Sequence, residues 1–444
     1  MGQIASLVEK YFGSSDGELL VGGCRIGDLA AAYDTPVFVY DARTAERKLL
    51  ALRSALPSGF AVSYSVKANP HPAFLNLFLS HGCGLEVASA GELYQALSAG
   101  CPAEKILFAG PGKKESELEF ALARNIGEIH AESFTEIARI GVISRRLGVR
   151  ARVALRINQS SEGQGGAMRM GGKPAPFGID EEQLDEAVDR VKADSNLEFR
   201  GVHLFTGTQI LDHDILLTQY RQGLEIARRA ARRAGHPIAT LDFGGGLGIP
   251  YFAHEHELDL AALRPALAEL FASLNLDESF RGTNFLVEPG RFLVGESGIY
   301  LARVIDIKVS RGKRFLITDG GMHHHLAASG NLGQTIKRNY PVAIVNKLNA
   351  LATETVDVVG PLCTPLDVLA RGATLPAAEI GDLIAVFQSG AYARSASPLG
   401  FLSHPAPPEV WVADGDHMLV RKRGTLADSL LDVALPSHCE AKDR

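Results

Sequence analysis

The stretch YSVKANP, residues 64–70, decides how the first half of the chain is read. Val62, Tyr64 and Val66 alternate as a β run does, and the run ends in Lys67 before Ala68, Asn69 and Pro70. A strand that points inward does not end in an ammonium by default, because an unpaired buried charge is costly. Lys67 is therefore either a surface charge at a strand end or an amine held in a pocket. Working outward, further β runs stand at FVY (38–40), GLEVA (84–88), ILFAG (106–110), EIHAE (128–132), VALRI (153–157), GVHLF (201–205), TLDFG (240–244) and FLVEPG (285–290). Helical stretches lie between most of them. In SFTEIARIGVISRRLG, for example, Ile137, Ile140, Ile143 and Leu147 recur at helical spacing. Such alternation implies parallel strands with helical crossovers. An α/β barrel needs about 250 residues and eight such units. Residues 36–285 have about that length, with one β run to spare. A doubly wound open sheet competes. The polar residues favour a TIM-like (β/α)8 barrel, since Lys67, Glu86, Arg156, His203, Asp242 and Glu288 sit near the ends of different β runs, where barrel sites gather their chemistry.

After about Leu286 helices thin out, and runs such as RFLIT, DLIAVF and EVWVA dominate. Residues 286–444 are expected to form a β domain that also takes in residues 1–35. The stretch QSSEGQGGAMRMGGKPAPFG (159–178) is glycine-rich and too long for a simple connection, so it is a candidate active-site flap.

Composition excludes several classes. With 46% hydrophobic residues, 22% charged residues, a net charge of -6 and no basic block, nothing marks a nucleic-acid or membrane surface. No apolar run is long enough to span a bilayer. MGQIASLVEKYF lacks the layout of a signal peptide, and five scattered cysteines without metal-ligand spacing point to a reducing, cytoplasmic compartment.

Several stretches could carry chemistry. LDFGGGLGIPY (241–251) places three glycines after a β run, either as a tight strand-to-helix turn or as a phosphate cradle of backbone N–H groups. It lacks the spaced glycines of a dinucleotide site. VEPGRFLV (287–294) is a strand-end turn that offers Arg291 to a phosphate or carboxylate, and Glu288 to a proton on a heteroaromatic nitrogen. VGPLCTPLDVL (359–369) carries Cys363, and GAYARS (390–395) carries Tyr392; a small buried hydrophobe and a packing tyrosine are the plainer readings. The adjacent histidines of DGGMHHHLAASG (319–330) cannot all face one ion, so no metal site is expected. Together, a lysine, two candidate phosphate loops, a lone carboxylate, a cysteine and a tyrosine describe a site for an aldehyde cofactor that carries a phosphate.

In order and spacing, YSVKANP, GLEVASAGEL, ALRIN, DFGGGLG, EPGR, GPLC and GAY resemble the fold-type III pyridoxal-phosphate decarboxylases of diaminopimelate, ornithine and arginine. The resemblance implies a barrel that binds pyridoxal 5′-phosphate, a β domain holding both chain ends, and a homodimer with shared sites. It implies that Lys67 is the Schiff-base lysine. It places Gly244, Gly245, Gly246, Thr208, Gly290, Arg291 and Tyr392 at or beside the phosphate, Glu288 on the pyridinium nitrogen and Arg156 near the ring's 3-hydroxyl. Glu86 and His203 join the cofactor set. Cys363 arrives from the partner subunit to protonate the carbanion, and Arg291, Thr364, Asp367 and Tyr392 are the expected substrate contacts. A carboxylate at Glu288 keeps the ring nitrogen protonated; related alanine racemases have an arginine there, so Glu288 argues for decarboxylation over racemisation.

The departures bear on the substrate. Where the family commonly has His-x-His-x-Gly-Ser, this chain reads HLFTGT (203–208), so Phe205 stands where a histidine usually stacks. Cys363 is followed by Thr364, Pro365, Leu366 and Asp367 instead of Glu-Ser-Gly-Asp, and HHHLAASGNLGQ replaces an arginine-bearing stretch. The far end of diaminopimelate would be poorly paired. These stretches instead resemble a side branch that contains decarboxylases of carrier-protein-linked glutamate, exosortase-associated decarboxylases and siderophore-pathway enzymes. A conjugated or carrier-linked amino acid is the expected substrate. A diaminopimelate decarboxylase and a non-catalytic pyridoxal-phosphate-binding regulator are the alternatives.

Overall fold

A computed structural model describes residues 2–160, 168–169, 174–205, 207–274, 276–334 and 336–434. Most of the glycine-rich stretch 159–178 thus lies outside the described residues. Eight parallel strands form the first unit: β1 (Ala61–Ser65), β2 (Gly84–Val87), β3 (Ile106–Phe108), β4 (Glu128–Ala131), β5 (Ala151–Asn158), β6 (Leu197–Leu204), β7 (Thr240–Asp242) and β8 (Asn284–Val287). Each pairs with its neighbour in sequence, β8 pairs with β1, and β4 pairs with β5, so the sheet closes into a barrel. The strands are short apolar runs covered outside by helices, as a parallel sheet requires. The helix Phe134–Leu147 buries Ile137, Ile140 and Ile143, the face that its sequence spacing marks, and Ser133 caps its start.

The second unit is a nine-stranded sheet whose main path runs 368–375, 354–359, 313–318, 298–310, 37–41, 409–413 and 416–421. One of the expected strand assignments needs correction. The run at 38–40 is no barrel strand: Val37–Asp41 is central in the second sheet, antiparallel to Gly298–Ser310 and parallel to Glu409–Ala413. Its five residues are all buried and a helix, Ala42–Ala55, follows, so in sequence it imitates a barrel unit. At the other end, Asn284–Val287 completes the barrel beyond residue 285. The helix Gln3–Tyr11 and the small sheet at 13–25 pack with this second sheet, where Leu7, Leu19, Val21 and Ile26 share a core with Val39, Ile299 and Val410.

Asn69 joins the two units. Its carbonyl accepts from Tyr64 Oη at 2.9 Å, and its amide donates to the Gly390 carbonyl at 2.9 Å. The backbone N–H of Tyr392 donates to the Ala68 carbonyl at 2.8 Å. The residues flanking Lys67 therefore hold the GAY loop against the barrel mouth.

Candidate active site

Lys67 lies in a single 3-10 turn, Val66–Ala68, directly after β1. Its ammonium donates to both oxygens of Glu86 in β2, at 2.7 and 3.0 Å. Glu86 is buried and also accepts from Ser65. The lysine side chain keeps 45% of its surface accessible, although it lies deep in the fold, so the amine lines an open space. Burial opposes its charge, but Glu86, Tyr392 and Glu288 together hold its pKa above the ordinary lysine value.

The strand register brings His203, Arg156 and Asp242 to one level across β5, β6 and β7. His203 Nε2 lies 3.3 Å from Glu288 Oε2. Burial lowers the His203 pKa, so the ring is neutral at physiological pH. Asp242 Oδ1 accepts from the Gly244 N–H at 2.7 Å, while Asp242 Oδ2 and Glu288 Oε1 are buried without a donor. One proton between the two carboxyls resolves this. Burial and the neighbouring Glu288 raise the Asp242 pKa strongly, so it is the acid of the pair. Burial also works against the charge of Glu288, yet His203 and the Asp242 proton hold it ionised, well below the usual carboxylate range.

The glycine turn after β7 is shaped by close approach. Gly244 has φ +67°, and a Cβ there would fall 2.3 Å from the Leu204 carbonyl oxygen. A Cβ on Gly245 would fall 2.6 Å from the Glu288 oxygen. The ring of Phe205 lies over this turn, 3.3 Å from the same Gly244 position. Gly246 completes the turn at φ +95°, and Gly207–Thr208 forms a two-residue antiparallel ladder with Met168–Arg169. On the facing loop, a Cβ on Gly290 would crowd Ala68 and Ser65. Arg291 stacks 4.7 Å from the centroid of the Tyr392 ring, and its Nη1 donates to Tyr251 Oη at 2.9 Å. Its Nε is buried without a partner, and no carboxylate of the described residues pairs with it. Such a buried cation, ringed by tyrosines and beside a bare glycine turn, is matched to an anion.

Arg156 donates to Glu132 at 2.8 Å and stands between the rings of Phe177 and Phe205, at 5.3 and 5.7 Å. Glu132 also accepts the Gly110 and Gly178 N–H groups at 2.7 and 3.0 Å, so it ties the exit of the glycine-rich stretch to the barrel mouth. Glu132 and Tyr251 are absent from the sequence-derived site. EIHAES did carry a signal: Glu128, His130 and Glu132 recur at period two and so share one face of a strand.

Cys363, Thr364 and Asp367 do not join this cluster. Cys363 is exposed on the loop between Glu354–Val359 and Val368–Leu375. Asp367 is a loop staple: it is buried, and its two oxygens accept the Met322 and Leu362 N–H groups at 2.6 and 2.9 Å. Thr364 folds back to the Leu362 carbonyl at 2.8 Å. The three histidines are core. His324 Nδ1 meets Tyr300 Oη at 3.0 Å, His325 Nε2 meets Ser389 Oγ at 2.9 Å, and His323 packs on His404 with centroids 4.9 Å apart.

Comparison with known proteins gives this geometry a context. Residues 42–295 match the model of the pyridoxal-dependent decarboxylase family, pyridoxal binding domain. The chain is 39% identical over 403 residues to the L-glutamyl-[BtrI acyl-carrier protein] decarboxylase of Niallia circulans, covering 90% of this chain and 94% of that one. It is 33% identical to the diaminopimelate decarboxylase of Zymomonas mobilis, covering 95% and 98%. The crystal structure of diaminopimelate decarboxylase from M. jannaschii with L-lysine superposes with a TM-score of 0.89 at 27% identity, over 97% of this chain and 99% of that one. No helix among the described residues is long and apolar enough to cross a membrane.

Proposed function

Because the chain belongs to the pyridoxal-dependent decarboxylases, we propose that it is a carboxy-lyase that removes the α-carboxylate of an amino acid carried on a larger conjugate or a carrier protein. The observation that carries the reading is the meeting, at one barrel mouth, of an accessible lysine amine and a buried carboxylate kept ionised.

The residues fit pyridoxal 5′-phosphate. Lys67 would hold the aldehyde. The bare turn Gly244–Gly246, Gly290 and the open Nε of Arg291 suit the phosphate, with Tyr392 and Thr208 beside it. Glu288, a buried carboxylate kept ionised, suits a protonated ring nitrogen. Arg156, steadied by Glu132 and two phenyl rings, suits the 3-hydroxyl side, and Phe205 gives the ring a neutral face. When bound, the cofactor supplies a sink for the electron pair left as carbon dioxide departs. Glu288, held ionised, would retain a proton on the cofactor's ring nitrogen. Glu86 holds the Lys67 ammonium at the cavity wall whenever the amine is free. The GAY loop and its Ala68 contact shield the amine from bulk water on the side of the second unit.

Exposed Cys363 has no role within its own subunit. In this reading the protein is a homodimer, and Cys363 of the partner subunit enters the barrel mouth and delivers a proton to the α-carbon. The conjugate is supported by the similarity to the carrier-linked glutamate decarboxylase. Chemistry points the same way: Asp367 is spent on backbone, and the histidines that replace the arginine stretch are buried and neutral. All four described cysteines are free, in keeping with a reducing cytoplasm.

Carbon dioxide release tests the reading. The loaded enzyme should be silent on free diaminopimelate, lysine, ornithine, arginine and glutamate, and should turn over carrier-linked glutamate or an amino-acid–citrate conjugate. Fast turnover of free diaminopimelate would make it the second reading, which the similarity to the Zymomonas enzyme favours. Mixing inactive Lys67→Ala with inactive Cys363→Ala should restore part of the activity; heterodimers shown to form without recovery would sink the shared site.

A further inference from the structure

Below the candidate site, the barrel holds a group that the proposed function does not use. Eight-stranded barrels are usually filled by layers of branched aliphatic side chains. Here His130, in the middle of β4, is fully buried, and neither of its ring nitrogens has a hydrogen-bond partner. Its ring packs on that of His203 with centroids 4.5 Å apart and planes tilted by 43°. Its Nε2 lies 3.8 Å from Glu128 Oε2. Glu128 in turn accepts from the Thr240 hydroxyl, and Arg200 Nε stands 3.4 Å away. Arg200 is the extra residue where the β5–β6 register slips, and such a bulge re-aims a side chain. About 30% of its side chain remains accessible.

These contacts form a continuous series of side chains. It runs from Arg200 through Glu128, His130 and His203 to the Glu288–Asp242 pair. His130, His203, Asp242 and Glu288 offer polar atoms that all lie within 4.8 Å of one another. The other charges near His130 are engaged elsewhere. Lys113 donates to the His130 carbonyl at 3.0 Å and pairs with Glu136 at 2.7 Å, and Arg156 pairs with Glu132. His203 must present a ring N–H to Glu288 to keep that carboxylate ionised. Neither ring nitrogen has a hydrogen bond that fixes its tilt, and the ring packed against it is that of His130. Two imidazoles in contact cannot both carry charge at low cost.

We propose that His130, backed by Glu128, is a positioning residue: it holds the His203 ring in the orientation that keeps Glu288 ionised beneath the cofactor cavity. The proposal rests on the reading of Glu288 as the partner of the cofactor's ring nitrogen. A purely structural His130 would be replaceable by any side chain that fills the same space.

Three variants test it in full-length protein loaded with pyridoxal 5′-phosphate: His130→Leu, His130→Gln and Glu128→Gln. The readouts are thermal midpoint, the pH dependence of the bound cofactor's absorbance, and kcat and KM on carrier-linked glutamate. His130→Leu is expected to fold, with a midpoint within about 5 °C of the parent. It should shift the absorbance titration by about one pH unit or more. Its kcat should fall about 10- to 100-fold with KM nearly unchanged. His130→Gln, which keeps a polar atom, should recover part of both effects, and Glu128→Gln should move both in the same direction by less. A folded, loaded His130→Leu with the parent's absorbance titration and kcat overturns the proposal. If His130→Leu fails to fold, Glu128→Gln decides, and an unchanged titration there overturns it. A parent protein that develops no cofactor band at all would instead strike the underlying reading.

Discussion

The molecule buries histidines in two places, and the two clusters differ in their company. In the barrel, His203 and His130 stand beside Glu288 and Glu128, at 3.3 and 3.8 Å. In the second unit, His323, His324 and His325 stand among one another, His404 and the hydroxyls of Tyr300 and Ser389. Burial keeps His203 and the second cluster neutral. In the first cluster the imidazoles stand directly against carboxylates, whereas the second cluster's ring contacts are with other rings and hydroxyls; a neutral imidazole governs a charge only when a charge lies within reach. The run of three histidines is the louder signal in the sequence, yet it is packing. The single histidines of EIHAE and GVHLF lie where charge is set.

The comparison can be broken or sharpened in order of expected effect. Lys67→Ala is the reference for total loss: no cofactor should be trapped by borohydride, and turnover should fall by about 10³-fold or more. Retained trapping would move the amine elsewhere. Glu288→Gln should lower kcat by about 10²-fold while the protein stays folded. If it mainly lowered stability, the barrel cluster would be packing as well. Acid should act on the second cluster. His323, His324 and His325 are pushed by burial to about 4, 2 and 3. The unfolded chain takes up these protons near the ordinary histidine value, about 6.5. Between that pH and about 4 the unfolded state binds more protons than the folded one, so stability falls as pH falls. Each histidine contributes a slope of about 1.4 kcal/mol per pH unit in that window. Denaturant titrations at pH 7, 6 and 5 measure it, and a flat profile would refute buried neutrality. Smallest of all, His324→Leu should remove the Tyr300 hydrogen bond and one of those slopes. It should cost about 1–3 kcal/mol by leaving a buried hydroxyl unpaired, with kcat of the folded enzyme within about threefold, well short of a lost catalytic group. A large loss of kcat would tie the second cluster to the chemistry.

Much of the site was legible because polar residues interrupt apolar strands. Lys67, Glu86, Arg156, His203, Asp242 and Glu288 each lie near the end of a β run, and closure of the sheet brings them to one mouth. The glycine turns were legible for a similar reason, since only glycine tolerates the approaches at 244 and 245. The stapling role of Asp367 was not legible, because its partners, Met322 and Leu362, are backbone groups that no side-chain pattern reveals. Glu132 was missed because its bonds to Gly110, Arg156 and Gly178 join two loops and a neighbouring strand that are distant in sequence. Val37–Asp41 was misassigned because a fully buried strand reads alike in either sheet.

That strand has a consequence for how the chain comes into being. Val37–Asp41 leaves the ribosome before the barrel does, but both its hydrogen-bonding partners, at 298–301 and 409–412, come after it. At about 5–20 residues per second, its first partner follows roughly 10–50 s later. The barrel, whose strands pair with their neighbours in order, can close during that wait. The second sheet must then be assembled around a finished insert, and its earliest apolar strand has to be sheltered until its last partner is synthesised.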